Sequence, residues 1–419
     1  MRIQIGGHGV VSSERLSRYS VSMSRPFRRF VFATIIALLA IVPGQRSTGQ
    51  QSDAASASAS DMWLGPEVTA SLDALFAVPQ GSPGYAVAVI KGDRFVYKRG
   101  FGLANLEDNI PITPETSFHL ASVSKQFTAA AIALLILDHK IALSDPVSRY
   151  IPEAAKFGAD LRIEHLVYMT SGLRDYTDLP RESGVPWMTF YYFTRDEAIA
   201  TVLKSGKLEF APGTQWAYRN INYMLLTKIV EVVSREPFAE FMQERIFRPL
   251  GMMHTEINDD STEVIPHRAT GYAARPDPRV TKELAAVGIR IKPGDGWVRL
   301  VRVSPHFGGS GVFTSLNDLL LWDQNWYSGS LKGMEFTDLM NRRQKFQHDK
   351  DNDAFGLVWR TRYSHPMLDY SGGDTDTSTY MARFPDQHLT VICLSNMPLG
   401  DAEGKAGTLM DVLHTAGKL

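Results

Sequence analysis

Ser122-Val123-Ser124-Lys125 runs directly into residues 127–137, FTAAAIALLIL, a stretch apolar at every position except Thr128. A segment hydrophobic on all faces predicts a helix buried in the interior, and it falls well short of the roughly 20 residues needed to span a bilayer. A spacing of three puts Ser122 and Lys125 on one helix face. A serine at a helix N-terminus sits among free backbone N–H groups that can stabilise a developing oxyanion. The same positive helix end, with partial burial, lowers a lysine pKa until the neutral amine can take the serine proton. Taken alone, the four residues fit an ordinary N-cap serine beside a solvated lysine equally well.

Upstream, residues 85–90 are apolar throughout, Gly92-Asp93 is a turn signal, and 94–97 begin a second β-like run, which together predict a hairpin. Downstream, 196–203, 222–234 and 238–247 carry helical spacing, so the middle of the chain is expected to be mostly helical. Residues 379–384 and 389–394 are strand-like and are separated by the turn Pro385-Asp386-Gln387; a last helix is expected over 404–416. Strands at both ends with helices between predict an α/β fold, with an antiparallel sheet formed by the N- and C-terminal parts, flanked by helices and carrying a mostly helical inserted lobe. Residues 62–419 are long enough for about two domains, yet no linker or repeat divides them, so any two lobes are interleaved by chain crossings.

Composition removes several function classes. Of 419 residues, 44% are hydrophobic and 21% charged, which fits a globular protein with a large core. Lys plus Arg number 44 against 45 Asp plus Glu, without the basic excess of a nucleic-acid binder. A single cysteine, Cys393, excludes a disulfide framework, a thiolate zinc site and an iron–sulfur cluster within one chain, and its apolar neighbours predict a small buried strand residue. There is no H-E-x-x-H or G-x-S-x-G, and the glycines of Gly308-Gly309-Ser310-Gly311 are followed by no P-loop lysine, so a tight turn beside the site is expected there. No metal or cofactor is expected.

Residues 1–49 read differently from the rest. Arg25, Arg28 and Arg29 precede the apolar run 30–42, and Pro43, Gly44 and small polar residues follow, which is a signal-peptide layout; an uncleaved anchor is the alternative. Met23 is a more ordinary start than Met1. Removing 1–49 takes seven arginines and one glutamate and leaves 37 basic against 44 acidic residues. No cysteine follows the apolar run, so a lipoprotein anchor is excluded. The Ala-, Ser- and Gln-rich stretch 50–61 reads as a flexible linker, and a periplasmic or secreted location is expected for the unit 62–419, with membrane contact only through an uncleaved signal segment.

A second chemical signal is Ala211-Pro212-Gly213-Thr214 followed by Tyr218-Arg219-Asn220, a turn that can deliver a proton shuttle and an amide to a loop mouth; a core tyrosine with a satisfied hydroxyl is the structural alternative. With these strings in order, residues 85–396 resemble the beta-lactamase-related serine hydrolases of the penicillin-binding-protein-like superfamily, which includes class C beta-lactamases, D-alanyl-D-alanine carboxypeptidases, D-aminopeptidases and certain esterases. The resemblance rests on Phe118-His119-Leu120-Ala121-Ser122-Val123-Ser124-Lys125-Gln126-Phe127-Thr128, Leu143-Ser144-Asp145-Pro146-Val147, and His165-Leu166 leading to Thr170-Ser171-Gly172-Leu173. It continues through Pro212-Gly213-Thr214, Tyr218-Arg219-Asn220, Pro249-Leu250-Gly251-Met252 and Gly308-Gly309-Ser310-Gly311-Val312-Phe313-Thr314-Ser315.

The resemblance implies Ser122 as acylated nucleophile, Lys125 as its base, Tyr218 as proton relay to the leaving group, and Asn220 as the group that orients Lys125 and the acyl side-chain amide. The third family box falls on Tyr370-Ser371-Gly372, implying substrate-binding residues on a strand edge, with the N–H groups of Gly373 and Ser122 as oxyanion hole. Tyr370 departs from the usual lysine or histidine and brings no positive charge at neutral pH; Thr377 stands near another usual glycine. The expected function is an exported serine hydrolase acting on a small ester, amide or peptide. A peptidoglycan D,D-peptidase or beta-lactamase is the alternative within enzymes, and a penicillin-binding-like sensor or scaffold that acylates without turnover is the alternative outside them. Seven Lys or Arg lie between Ala274 and His306 against three acids; a solvated loop is expected there, with a basic rim over the cleft, Arg290 included, as the other reading.

Overall fold

The structure, a computed structural model, describes residues 63–176, 178, 192–275, 277–286, 288–344, 352–398 and 400–419. The expected signal segment and linker lie outside these residues.

The predicted hairpin forms as β1 (Tyr85–Lys91) and β2 (Arg94–Phe101). The remaining strands of the main sheet come from the other end of the chain: β3 (Asn352–Asp353), β4 (Val358–Arg362), β5 (His365–Asp374), β6 (Thr377–Phe384) and β7 (Leu389–Ser395). They pair in the order β3-β4-β5-β6-β7-β1-β2, each neighbour antiparallel. The two chain ends therefore meet at the β7–β1 ladder, in register from Tyr85 opposite Ser395 to Lys91 opposite Leu389. Cys393 sits there with no exposed surface, opposite Val87, and burial raises its thiol pKa.

Side chains alternate across these strands. Val87, Val89, Val391 and Cys393 face helices α1 (Pro66–Phe76) and α7 (Ala402–Thr415) through Leu72, Phe76, Leu409 and Leu413. Ala86, Ala88, Ile90, Ile392 and Leu394 face the larger core around helix α2 (Lys125–Leu137). Every residue of α2 from Lys125 to Leu135 is buried, which is why the sequence there shows no polar stripe.

Between β2 and β3 lies the inserted part, with helices α3 (Arg195–Ser205), α4 (Asn220–Ser234), α5 (Phe238–Met242) and α6 (Leu316–Ser328). The helix expected over 238–247 passes after Met242 into a π-type stretch, Gln243–Phe247. The insertion is not purely helical. Phe118–His119, Val312–Thr314 and Glu256–Ile257 make a small three-stranded sheet. The basic segment expected as a solvated loop is ordered instead: Gly271–Ala274 pairs with Trp297–Leu300, and helix Pro278–Ala286 packs Val280 and Leu284 against Ala273 and Leu300. Apolar residues spaced among the charges give this segment a small core of its own.

Among the described residues, no helix is long and apolar enough to cross a membrane, and no group of three His, Cys, Asp or Glu could hold a metal ion.

Candidate active site

Ser122 does not occupy the first turn of the α-helix. It lies in a 3-10 turn, Ala121–Ser124, that hands over to α2 at Lys125. With three residues per turn, side chains at i and i+3 eclipse, so this turn stacks Lys125 over Ser122 more directly than an α-helix would. The turn is entered through Ala121 at φ 46°, a left-handed conformation unfavourable for alanine. Ser122 is the one member of the turn with partial exposure.

Lys125 has no exposed surface, and its Nζ lies 3.0 Å from Ser122 Oγ, 2.5 Å from the Tyr218 hydroxyl, 2.9 Å from Asn220 Oδ1 and 2.7 Å from the Gly309 carbonyl. An ammonium has three protons to share among these four oxygens, whereas a neutral amine can accept from a hydroxyl. Burial lowers the Lys125 pKa to about 7, against the opposing pull of Asp175 and Asp374. Ser122 Oγ and the Tyr218 hydroxyl are themselves 2.6 Å apart, so the three groups form a closed triangle. Burial holds the Tyr218 phenol well above its ordinary pKa, keeping it protonated at neutral pH.

Tyr218 and Asn220 straddle the start of α4. Asn220 Oδ1 faces Lys125, but its Nδ2 is 3.3 Å from Asp175 Oδ2, so the amide is turned inward as well as toward the lysine. Asp175 also accepts the Asn220 backbone N–H at 2.8 Å, placing a carboxylate at the positive end of α4. Asp175 was not legible in the sequence: it lies 45 residues from its partner, with no motif spacing to mark it. The Gly309 carbonyl was equally hidden, being backbone. The tight turn expected at Gly308-Gly309-Ser310-Gly311 is what delivers it: Gly308 has φ +97°, and a Cβ there would come within 2.6 Å of the Tyr223 carbonyl.

The third sequence box lies on β5. A Cβ on Gly372 would fall 2.5 Å from the Leu120 carbonyl and 3.1 Å from Ser122 N, so only glycine lets the strand edge lie against the 3-10 turn. Gly373 has nothing within 4 Å of its Cβ position. Tyr370 is half-buried, and desolvation raises its phenol pKa far above the ordinary value.

A cleft of about 510 Å³ opens beside these groups, lined by Ser122, Trp216, Tyr218, Tyr370, Ser371 and Gly373. Asp353, Arg360, Asp369 and Glu403 also line it. Arg360, the cleft-lining cation, was not singled out by the sequence; its Nε is 3.0 Å from Asp369 Oδ1. Arg290 is exposed and is not among the cleft-lining residues.

The sequence profile of the Beta-lactamase family matches residues 72–414. The chain belongs to that family. A D-aminopeptidase of Gluconobacter oxydans (strain 621H) is 31% identical over 242 residues, covering 58% of this chain and 42% of that protein. Penicillin-binding protein 4* of Bacillus subtilis (strain 168) is 29% identical over 321 residues, 74% of this chain and 67% of that protein. The chain thus spans about two-fifths of the D-aminopeptidase's length. Among solved structures, an octameric penicillin-binding protein homologue from Pyrococcus abyssi superposes with a TM-score of 0.67 at 24% identity, over 84% of this chain and 76% of that one. This likeness establishes the fold, an α/β architecture with the antiparallel sheet built from both chain ends.

Proposed function

We propose that this family member is an exported serine hydrolase that cleaves a small ester or amide through an acyl-enzyme on Ser122. The observation that carries the reading is the buried Lys125 Nζ, in reach of both the Ser122 and the Tyr218 hydroxyls. In the acylation step, neutral Lys125 takes the Ser122 proton as Oγ bonds to the carbonyl carbon. The carbonyl electron pair moves to oxygen, which the N–H groups of Ser122 and Gly373 receive. Collapse re-forms the carbonyl and breaks the bond to the leaving group. Tyr218 donates its proton to that group and is reprotonated by Lys125. Water attacking the ester, with Lys125 and Tyr218 again moving the proton, frees Ser122. Tyr370 and Ser371 line the wall along which substrate is seated.

The exported chain, released from the signal segment 1–49, carries the unit 62–419 behind residues of the linker 50–61 into a periplasmic or extracellular space. The name of the D-aminopeptidase relative supports an amide or peptide substrate, and that of penicillin-binding protein 4* supports binding of a penicillin. Turnover by the purified protein of short-chain esters, D-amino-acid amides and beta-lactams, followed by intact mass spectrometry, tests the reading. Turnover with a transient acyl adduct supports it; an adduct that persists without product would replace the hydrolase with a sensor.

A further inference from the structure

We propose that His119 is a positioning residue for the base: its tautomer, fixed by Asp376, holds the turn 308–311 so that the Gly309 carbonyl stays on Lys125 Nζ. This rests on the acyl-enzyme reading above, with Lys125 as base, and adds to it two residues that the reaction itself does not use.

The turn needs outside support to keep its shape. Gly308 and Gly311 have φ +97° and +92°, and glycine is the residue with the most backbone freedom to lose. The ends are tied by helix α2 and the turn before it: Thr128 Oγ1 donates to the Gly308 carbonyl at 2.8 Å, and Ser124 Oγ accepts the Val312 N–H at 3.1 Å. His119 ties the middle. Its Nε2 accepts the Gly311 N–H at 3.2 Å and lies 3.3 Å from Ser310 Oγ. The Gly309 carbonyl and the Gly311 N–H belong to neighbouring peptide planes that share the Ser310 Cα. Fixing one on His119 limits how far the other can swing from Lys125 Nζ, 2.7 Å away.

Nε2 accepts only while it carries no proton. The proton then sits on Nδ1, facing Asp376 Oδ1 at 2.8 Å. An ionised carboxylate accepts and cannot donate, so Asp376 selects this tautomer. Burial alone would raise the Asp376 pKa, but His119 and Arg268, 3.7 Å from Oδ2, bring it below the ordinary carboxylate value. Asp374 Oδ2 favours a proton on Nε2 instead, but from 4.0 Å, beyond hydrogen-bond reach. The ring is held in place by stacking on Phe313, its cross-strand partner, with centroids 5.0 Å apart.

The carbonyl matters to the base for a reason of count. A neutral amine has two N–H groups and one lone pair. The Gly309 carbonyl and Asn220 Oδ1 can only accept, so they take the two N–H groups and leave the lone pair for the Ser122 or Tyr218 hydroxyl. In the ammonium form the same carbonyl stabilises the charge. The other groups facing Nζ are the Tyr223 ring at 5.8 Å and the charges of Asp175 and Asp374. Losing the carbonyl therefore lowers the Lys125 pKa and leaves the lone pair less firmly aimed.

A glutamine at position 119 reaches as far as Nε2 and can accept the Gly311 N–H; an asparagine reaches only as far as Nδ1. With p-nitrophenyl butyrate as substrate and rates taken per fluorophosphonate-titrated site, His119→Asn should lower the plateau of kcat/KM by about tenfold or more. Its acidic limb should move to lower pH by about half a unit to one unit. His119→Gln should restore the plateau to within about threefold of wild type, with the limb back in place. Asp376→Asn keeps the ring but, with Arg268 holding the amide oxygen, turns an N–H toward Nδ1 and sends the ring proton to Nε2, against the Gly311 N–H. It should behave as His119→Asn does, and it carries the test if that variant does not melt cooperatively. A purely structural pair would lower the yield of titratable sites and leave the limb where it is. An unchanged plateau, a limb that stays or rises, a glutamine no better than asparagine, or loss of cooperative melting in both His119→Asn and Asp376→Asn overturns this proposal alone. Absence of both label and turnover in the wild type removes the acyl-enzyme reading and this inference with it.

Discussion

Lys125 is a long cationic side chain with no surface in contact with solvent, surrounded by four oxygens, none of them a carboxylate. Taking the charge out of water disfavours the ammonium, and the pKa falls to about 7. The reaction uses the neutral amine, so kcat/KM should fall about tenfold per pH unit below that value and level off above it. Asp175 opposes this shift; Asp175→Asn should therefore move the acidic limb to lower pH, and a limb that moved upward would contradict the assignment. Lys125→Ala should cost about a hundredfold or more across the range. Tyr370 belongs to the same scale. In place of the lysine or histidine that the family resemblance implies at this position, it offers a neutral phenol, and charge-assisted hydrogen bonds are roughly twice as strong as neutral ones. Anionic beta-lactams should be poorer substrates than neutral short-chain esters, and kcat/KM values in the opposite order would show that another cation has taken over the position.

The site depends on two elements meeting at close range, the 3-10 turn at Ser122 and the β5 edge. Gly372→Ala would push a methyl onto the Leu120 carbonyl and Thr379 Oγ1, which a Cβ would approach to 2.3 Å. The strand must then withdraw from Ser122, so thermal melting should show a lower Tm and labelling of Ser122 should slow. Gly373→Ala adds its methyl to open space, and its Tm should stay within a degree or two of wild type. Equal losses of Tm in both would mean that the strand does not lie against the turn. Element-level reading from sequence worked where a nearly unbroken apolar run stood out from its neighbours, as in α2 and the strands of 85–90 and 389–394. It missed the 3-10 turn because, over a single turn, a spacing of three does not distinguish 3-10 from α geometry. It missed Asp175 and the His119–Asp376 contact because those pairs join residues 45 and 257 positions apart. The motif residues were legible because helix and loop spacing is local; the groups that tune them arrive from elsewhere in the fold.

At the scale of the molecule, both chain ends contribute to one sheet and the site lies where that sheet faces the inserted part. Shortening such a unit from its C-terminus removes first α7, whose Leu409 and Leu413 pack on the sheet, and then β7, whose seven residues are all buried. The N-terminal side differs, since the family match begins at residue 72 and residues 1–49 are proposed above as an export segment. N-terminal sequencing of protein from the periplasm or medium should find a start between residues 50 and 61; full-length chain confined to the membrane fraction would favour the anchor. The most direct test of the whole account is the covalent bond it requires. Treated with a fluorophosphonate, the wild-type protein should gain one adduct by intact mass, mapped by peptide sequencing to Ser122, and Ser122→Ala should show neither adduct nor ester turnover. An adduct of equal yield in Ser122→Ala, or one mapped to another residue, would contradict it.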